Sequence, residues 1–129
     1  MTTDQTIEKE IQAKGLTAPR VTPADIEANI ASEHYFTAAD GAAMSQVYKL
    51  KQEDADESDI EIMVPSELAY LTFCVLVLSS GFTVTGESAC ASPENFDAEI
   101  GRKIARENAK QKIWPLMGYA LKQQLSGAA

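Results

Sequence analysis

The sequence is poor in the residues on which most catalytic and metal-binding sites depend. Its 129 residues include one histidine, His34, and two cysteines, Cys74 and Cys90, that lie far apart in the chain. One histidine excludes a His-rich metal site, and the cysteines lack the paired spacing of a zinc site. Cys90 and His34 could form a nucleophile–base pair, but no third side chain that would orient the histidine can be identified. A Walker loop, a dinucleotide fingerprint and a nucleophile elbow are absent too. We therefore expect a protein that is not an enzyme and that uses no metal ion or cofactor.

Long apolar segments and a basic surface are also missing. The longest apolar run, Leu68 to Leu78, is too short to cross a bilayer. The opening residues, Met1 to Asp4, show neither the basic nor the apolar region of a secretory signal, so two free thiols in a reducing compartment are expected. An isoelectric point of about 4.6 opposes binding to the phosphates of nucleic acids. These absences predict a cytoplasmic protein that binds neither nucleic acid nor membrane.

The net charge of −8 comes mostly from one segment. Residues 53–61 hold six of the nineteen acidic residues and no basic one. The remaining thirteen acidic residues nearly balance the eleven basic ones. Because a run of like charges repels itself and stays hydrated, we expect a solvated acidic loop at 51–64.

The first third of the chain predicts short elements. Residues 1–20 read as a flexible arm or a short helix. Thr22, Pro23 and Asp25 supply a hydroxyl cap, a proline and an acid in the order typical of a helix start, so a helix is predicted from Pro23 to about Ser32. A short strand is predicted at 34–37, closed by a turn at Asp40-Gly41. The segment 42–50 fits a strand or a helix.

The middle of the chain predicts a β-hairpin. Residues 71–78 form a continuous apolar run rich in β-branched and aromatic residues, which favours a strand buried on both faces with Cys74 as a small core residue. Ser79 to Gly81 supply a turn, and 82–88 alternate as a return strand. Oligomerisation would help so small a domain to cover the second face of the apolar strand.

The C-terminal part predicts helices. Nine apolar residues keep near-helical spacing and indicate one buried stripe, interrupted where Pro115 should end, kink or restart the helix. The stripe comprises Ile100, Ile104, Ala105, Ala109, Ile113, Leu116, Met117, Ala120 and Leu121. Over residues 21–125 we therefore predict a single α+β domain, in which a small antiparallel sheet packs against C-terminal helices.

Arg102, Arg106 and Lys110 recur every four residues and predict a cationic ridge on the same helix. One interpretation is a solvated helix face paired with neighbours such as Glu99 and Glu107. The other is an anion site, since small anionic ligands are commonly held by arginine forks, helix N-terminal amides and an aromatic ring. The second half of the chain offers such groups, namely Phe82, Asn95, Phe96, Trp114 and the amides after Pro93.

The second half of the chain carries a dense set of motifs in a fixed order. They are 71–78 (LTFCVLVL), 81–90 (GFTVTGESAC), 93–97 (PENFD), 100–102 (IGR), 105–109 (ARENA) and 113–119 (IWPLMGY). This set resembles the gp-forty-nine/sixty-six family of tailed phages and prophages, and residues 21–41 look like the front part of longer members.

Close to that family are the Thoeris anti-defence proteins of the first type, which trap cyclic ADP-ribose-type signals and in some cases cyclic oligonucleotides. The resemblance implies a homodimer or hexamer with ligand pockets between subunits, and sequestration without cleavage. It implies ligand contacts from Phe82, Asn95, Arg102 and Arg106. Two alternatives stay open: a phage accessory protein that binds a host protein, and a structural protein associated with the virion.

Overall fold

The computed structural model describes residues 2–53 and 61–127. In this part of the chain, three strands form one antiparallel sheet in the order β1-β2-β3, and five α-helices accompany it. This confirms the predicted fold class of a small antiparallel sheet with a C-terminal helix packed on it. The strands are β1 Ile30–Thr37, β2 Leu71–Leu78 and β3 Thr83–Ala89. The helices are α1 Thr3–Ala13, α2 Pro23–Ala28, α3 Ala38–Gln52, α4 Ala98–Gln111 and α5 Ile113–Leu125, with 3-10 turns at Ser66–Tyr70 and Pro93–Asn95.

Capping boxes begin three of the helices. Thr2, Thr22 and Thr37 each accept a hydrogen bond from the backbone three residues later, and the side chain at that later position accepts one in return. The predicted start of α2 at Pro23 is confirmed, but the helix ends at Ala28 and Ser32 lies in β1. Pairing with β2 draws the chain out of the helix from Ile30 onward.

The predicted turn at Asp40-Gly41 is wrong. Both residues lie in the first turn of α3, and residues 42–50 are helical. The side chain of Asp40 accepts the backbone N–H of Thr37 at 3.1 Å, while Thr37 Oγ1 accepts the N–H of Asp40 at 3.1 Å. This reciprocal cap satisfies two backbone donors and stabilises a helix start where the Asp-Gly pair alone indicated a reversal.

The predicted hairpin is confirmed, and its turn places Gly81 at a φ of +88°, which glycine adopts without a steric penalty. The prediction that β2 is buried on both faces is wrong for the single chain. Its side chains alternate between buried and partly exposed, with Thr72, Cys74, Leu76 and Leu78 on the covered face. One helix layer covers that face, and the opposite face with Phe73 and Val75 is only partly shielded.

Small residues let α4 lie very close to the sheet. Gly101, Ala105 and Ala109 are buried against β2 and β3, whereas Ile100 and Ile104 are 55% and 47% exposed. The predicted apolar stripe is therefore wrong at Ile100 and Ile104, and also at Leu116 and Ala120, which are exposed on α5. A core of eight buried residues lies between the helix layer and the sheet: Ile26, Cys74, Leu76, Leu78, Val84, Ala105, Ala109 and Ile113.

The proline at position 115 acts as expected. Helix α4 ends at Gln111, and α5 begins at Ile113, so Pro115 lies in the first turn of the new helix, where a missing N–H costs little.

None of the helices in residues 2–53 and 61–127 is long and apolar enough to cross a membrane.

The N-terminal arm is a helix in this structure. α1 has no buried residue and is attached through polar contacts: Arg20 binds Glu8 at 2.8 Å, and the Trp114 Nε1–H group points to an Asp4 oxygen at 3.3 Å. Of the predicted acidic loop at 51–64, residues 51 and 52 end α3 and 61–64 have no regular structure. Residues 54–60 lie outside the described residues, so the loop stays a prediction there.

Candidate functional site

The cationic ridge of α4 divides into two parts with different surroundings. Arg106 is held by two carboxylates from other elements: its Nη2 lies 2.8 Å from Oε2 of Glu27 on α2, and its Nε lies 2.8 Å from Oε1 of Glu33 on β1. Lys110, which is largely buried, lies 3.0 Å from the second oxygen of Glu27. Arg106 and Lys110 thus tie α4 to α2 and β1.

This network shifts the protonation of the groups around it. Hydrogen bonds from Arg106, followed by those from Lys110, lower the pKa of Glu27 to about 2 despite the opposing effect of burial. Arg106 and the Tyr35 hydroxyl also lower the pKa of Glu33. Burial, and the 2.6 Å hydrogen bond that it donates to Glu33, raise the pKa of Tyr35. The network is therefore a set of fixed charges in mutual contact at neutral pH.

The interpretation of the ridge as a solvated face is only partly right. Lys110 does lie 3.5 Å from Glu107, its neighbour one turn earlier, but Glu99 pairs with Lys103 at 3.2 Å. The main partners of Arg106 are 79 and 73 residues away in sequence. No local spacing could have identified Glu27 or Glu33, because a helix pattern reports only neighbours within one or two turns.

Arg102 has a different environment. Within the described residues, no carboxylate lies within 4.0 Å of its guanidinium. The side chain lines a surface cavity of about 140 Å³ at the end of the sheet where α3 and α4 begin. Three aromatic residues, two threonines, Asp40 and Ala98 complete the lining, which comprises Tyr35, Phe36, Thr37, Asp40, Thr72, Phe96 and Ala98. An unpaired guanidinium beside aromatic rings can bind a planar or phosphate-bearing anion.

Two of the rings that line the cavity pack against further aromatic rings. Phe36 stacks on Phe73 with ring centroids 5.7 Å apart, and Phe96 meets Tyr70 edge-on at 5.5 Å. Phe36 remains 41% exposed at the rim of the cavity. The sequence singled out Phe96 but not Phe36, since only the start of α3 after β1 brings residues 36–40 beside α4.

The other predicted contact residues are not gathered into this cavity in one chain. Asn95 is exposed in the 3-10 turn immediately before Phe96, on the same side of the molecule as Arg102. Phe82, 59% exposed, follows the hairpin turn at the opposite end of β2. Phe82 lies opposite Leu78, which is six residues along β2 from Thr72 in the cavity, so the distance is roughly 20 Å at about 3.3 Å per residue.

A larger and more open groove of about 770 Å³ runs between α2, the hairpin turn and α5. Its charged lining residues are Arg20, already bound to Glu8, and Asp25, and its apolar ones include Val21, Met117 and Leu121. Residues 2–53 and 61–127 contain no cluster of three side chains that could hold a metal ion. Cys74 and Cys90 are free thiols.

The comparison with known proteins gives one result. No curated protein and no solved structure matches this chain. The sequence model of one family, described as the phage protein (N4 Gp49/phage Sf6 gene 66) family, matches residues 21–125. The match begins just before α2 and ends with α5, and it omits the arm that carries α1. The resemblance read from the motifs is therefore confirmed, and the chain belongs to the phage protein (N4 Gp49/phage Sf6 gene 66) family.

Proposed function

We propose that this phage protein is a counter-defence factor of the host cytoplasm that binds a cyclic nucleotide signal, of the cyclic ADP-ribose or cyclic oligonucleotide type, and holds it without cleaving it. The observation that carries the proposal is the cavity beside Arg102. Its guanidinium has no carboxylate partner in the described part of the chain, whereas Arg106 and Lys110 on the same helix are paired. Sequestration requires a binding site and no reactive group.

The chemistry of the cavity fits a phosphate next to a ring. A guanidinium presents parallel N–H donors that match two phosphate oxygens, and such charge-assisted bonds are among the stronger hydrogen bonds in proteins. Tyr35, Phe36 and Phe96 supply ring surface around it. Thr72, which lines the same cavity, adds a hydroxyl side chain to its polar lining.

The volume limits what the cavity beside Arg102 can hold in one chain. Sites for small organic ligands usually measure roughly 300–1,000 Å³, and this cavity measures about 140 Å³. This cavity therefore accommodates a phosphate-sized group, and the base and ribose would lie outside it, against the exposed ring of Phe36 and the amide of Asn95. A complete pocket would need a second subunit, consistent with the homodimer or hexamer that we propose.

Three residues limit how far the ligand contacts implied by the family resemblance apply to this chain. Arg106 already binds two carboxylates, so a phosphate would have to displace Glu27 or Glu33 to reach it. Phe82 lies at the far end of the hairpin and would have to come from another subunit. Asp40 places a carboxylate in the cavity of Arg102, which weakens anion binding there. Arg102 is thus the residue on which the proposal depends.

The test is calorimetric titration of the purified protein with cyclic ADP-ribose isomers and cyclic oligonucleotides. We expect submicromolar binding of one ligand, and its recovery unchanged after the protein is denatured by heat. Arg102→Ala should weaken binding roughly 10- to 100-fold, the effect of losing hydrogen bonds to a charged group. Lys103→Ala is the matched control, because it removes the neighbouring charge, which pairs with Glu99.

A second variant tests the electrostatics in the opposite direction. Asp40→Asn removes a negative charge from the cavity and keeps an oxygen that can accept the N–H of Thr37, so we expect tighter anion binding and an intact α3. If a folded protein binds nothing in the panel, or if Lys103→Ala weakens binding as much as Arg102→Ala, the proposed site is wrong.

A different role is favoured by the surface of α3. Met44 and Tyr48 are 65% and 67% exposed one turn apart, and Met63 beside them is 69% exposed. Gln46 holds Met63 in place through two backbone hydrogen bonds, at 2.8 and 3.2 Å. Exposed apolar side chains that lie close together suit an accessory protein that binds a host protein. Loss of a defined host partner in a Met44→Ala, Tyr48→Ala variant would support this role, and stoichiometric presence in purified particles would indicate a virion component.

A further inference from the structure

The two edges of the sheet differ in how they are protected. The outer edge of β1 carries Glu33, paired with Arg106, and its register with β2 shifts between Ile30 and Ser32. Charges and bulges are devices that keep sheet edges from pairing with other chains. On β3 the segment 83–85 has no charge, no proline and no bulge, and both threonines are exposed.

Hydrogen bonds show which backbone groups of β3 face outward. The N–H of Leu78 donates to the carbonyl of Phe82 at 2.8 Å, and the N–H of Cys90 donates to the carbonyl of Tyr70 at 3.1 Å. Because facing pairs alternate in an antiparallel ladder, the even-numbered residues of β3 turn their backbone groups toward β2. The odd-numbered residues turn theirs outward, which Asn108 confirms by donating to the carbonyl of Glu87 at 2.8 Å.

The outward groups of Thr83 and Thr85 have no partner. In residues 2–53 and 61–127, no hydrogen bond from another element reaches their N–H or carbonyl groups. Asn108 covers only the carbonyl of Glu87, further along the strand. The open part of this edge is therefore Thr83-Val84-Thr85, a short stretch of high β-propensity.

We propose that two copies of this chain join through this edge, with β3 pairing antiparallel to β3 about a twofold axis at Val84, so that the two sheets become one of six strands. Thr83 of each copy then faces Thr85 of the other, and each such pair exchanges two N–H···O bonds. All four unpaired backbone groups of the segment are satisfied in each copy.

A second copy fits this edge because the segment is complementary to itself. Threonine directly opposite threonine is a favourable cross-strand pair. In this register Glu87 faces Gly81 of the other copy, so the two Glu87 side chains are six residues apart, about 20 Å along the strands. A shift of the axis toward Glu87 would bring two like charges together beside the carbonyl that Asn108 already binds. The inference is independent of nucleotide binding.

Thr85→Pro tests the pairing without disturbing the hairpin. The N–H of Thr85 points away from β2, and proline is tolerated on an edge strand where the missing N–H faces outward. Thr85→Val, which keeps the N–H, is the matched control. By analytical ultracentrifugation we expect wild type and Thr85→Val at twice the chain mass of 14.0 kDa or a multiple of it. Thr85→Pro should be folded by circular dichroism and have half the wild-type mass.

Cysteine cross-linking tests the register. In a Cys90→Ser background, Cys74 is buried and does not compete for oxidation. A mixture of Thr83→Cys and Thr85→Cys proteins should form a disulfide on mild oxidation, since facing Cα atoms at about 5.5 Å suit one. Thr85→Cys alone should not, because its two copies would be beyond the roughly 7 Å limit. A monomeric wild type, an unchanged mass for folded Thr85→Pro, or cross-linking of Thr85→Cys alone would overturn the proposal.

Discussion

Gly86 is the position at which a single methyl group should reveal how closely α4 lies on the sheet. A Cβ at this position would overlap the carbonyl oxygen of Ala105 and the amide nitrogen of Ala109, and would lie 2.9 Å from Cα of Ala109. All three are backbone atoms, so no side-chain rotation can relieve the overlap. The substitution Gly86→Ala therefore requires the helix or the strand to move.

The cost follows from the distance to be recovered. Ordinary contact with a Cβ begins at about 3.4 Å, so α4 must move by about 1 Å, which loosens the buried contacts of Gly101, Ala105 and Ala109 together. Overpacking of a well-packed core typically costs 1–3 kcal/mol. Because rigid backbone lies on both sides, we expect about 3 kcal/mol, which for a domain of this length lowers Tm by roughly 10 °C.

The assay is urea unfolding followed by circular dichroism, with Gly118→Ala as the control. Gly118 lies in α5, and a Cβ there would meet nothing within 4 Å, so the same change should raise the free energy of unfolding by about 0.5–1 kcal/mol through helix propensity. If Gly86→Ala falls within 1 kcal/mol of wild type while Gly118→Ala stabilises as expected, α4 does not lie against β3 as closely as described.

Three further predictions concern the acid stability of the fold, the reactivity of the two thiols and the N-terminal helix. The pKa of Glu27 is about 2 in the folded protein and 4.5 ordinarily, so its ion pairs should stabilise the fold above about pH 4.5 and progressively less as the pH falls toward 2. In urea unfolding at a series of pH values, Glu27→Gln should reduce the loss of unfolding free energy over this acid range. Burial raises the pKa of the Cys74 thiol, so native protein should release one equivalent with a thiol reagent, from Cys90, and the second only in denaturant; two fast equivalents would contradict this. Deleting residues 1–16 removes a helix with no buried side chain, so the rest of the chain should stay folded. Trp114 then loses its contact with Asp4, and its fluorescence emission should shift to the red. An unfolded truncated protein would show that the arm belongs to the core.

Arg102 and Arg106 have different partners, so the binding data of their alanine variants must be interpreted differently. Arg106→Ala would leave Glu27 and Glu33 without their main partner, so a loss of ligand binding in that variant could reflect a weakened fold. Arg102 has no such structural partner in the described residues, so the effect of its removal on binding is easier to interpret.

The sequence by itself determined the elements whose signals are local. The start of α2 could be read correctly from its N-cap threonine and its first residue, a proline, and the hairpin from its apolar run and glycine turn, since caps, turns and alternation act over a few neighbouring residues. Local signals also misled at Asp40-Gly41, where a reciprocal cap with Thr37 outweighed the turn tendency of the pair. The family membership could be read as well, because its motifs are contiguous.

Tertiary structure alone decided which face of α4 is buried and which of its arginines pairs with carboxylates among residues 2–53 and 61–127. Glu27 and Glu33 reach Arg106 only because α2 and β1 pack beside a helix more than seventy residues later. The face of α4 with Gly101, Ala105 and Ala109 lies on the sheet, and Ile100 and Ile104 are exposed. Gly86 allows this close contact between helix and strand. The spacing of residues along α4 could not predict it, because Gly86 lies in another element. Phe82 and Arg102, twenty residues apart in sequence, lie at opposite ends of the sheet because β3 runs between them. Such contacts depend on how elements are arranged in space, and a pattern along one element carries no information about its partners.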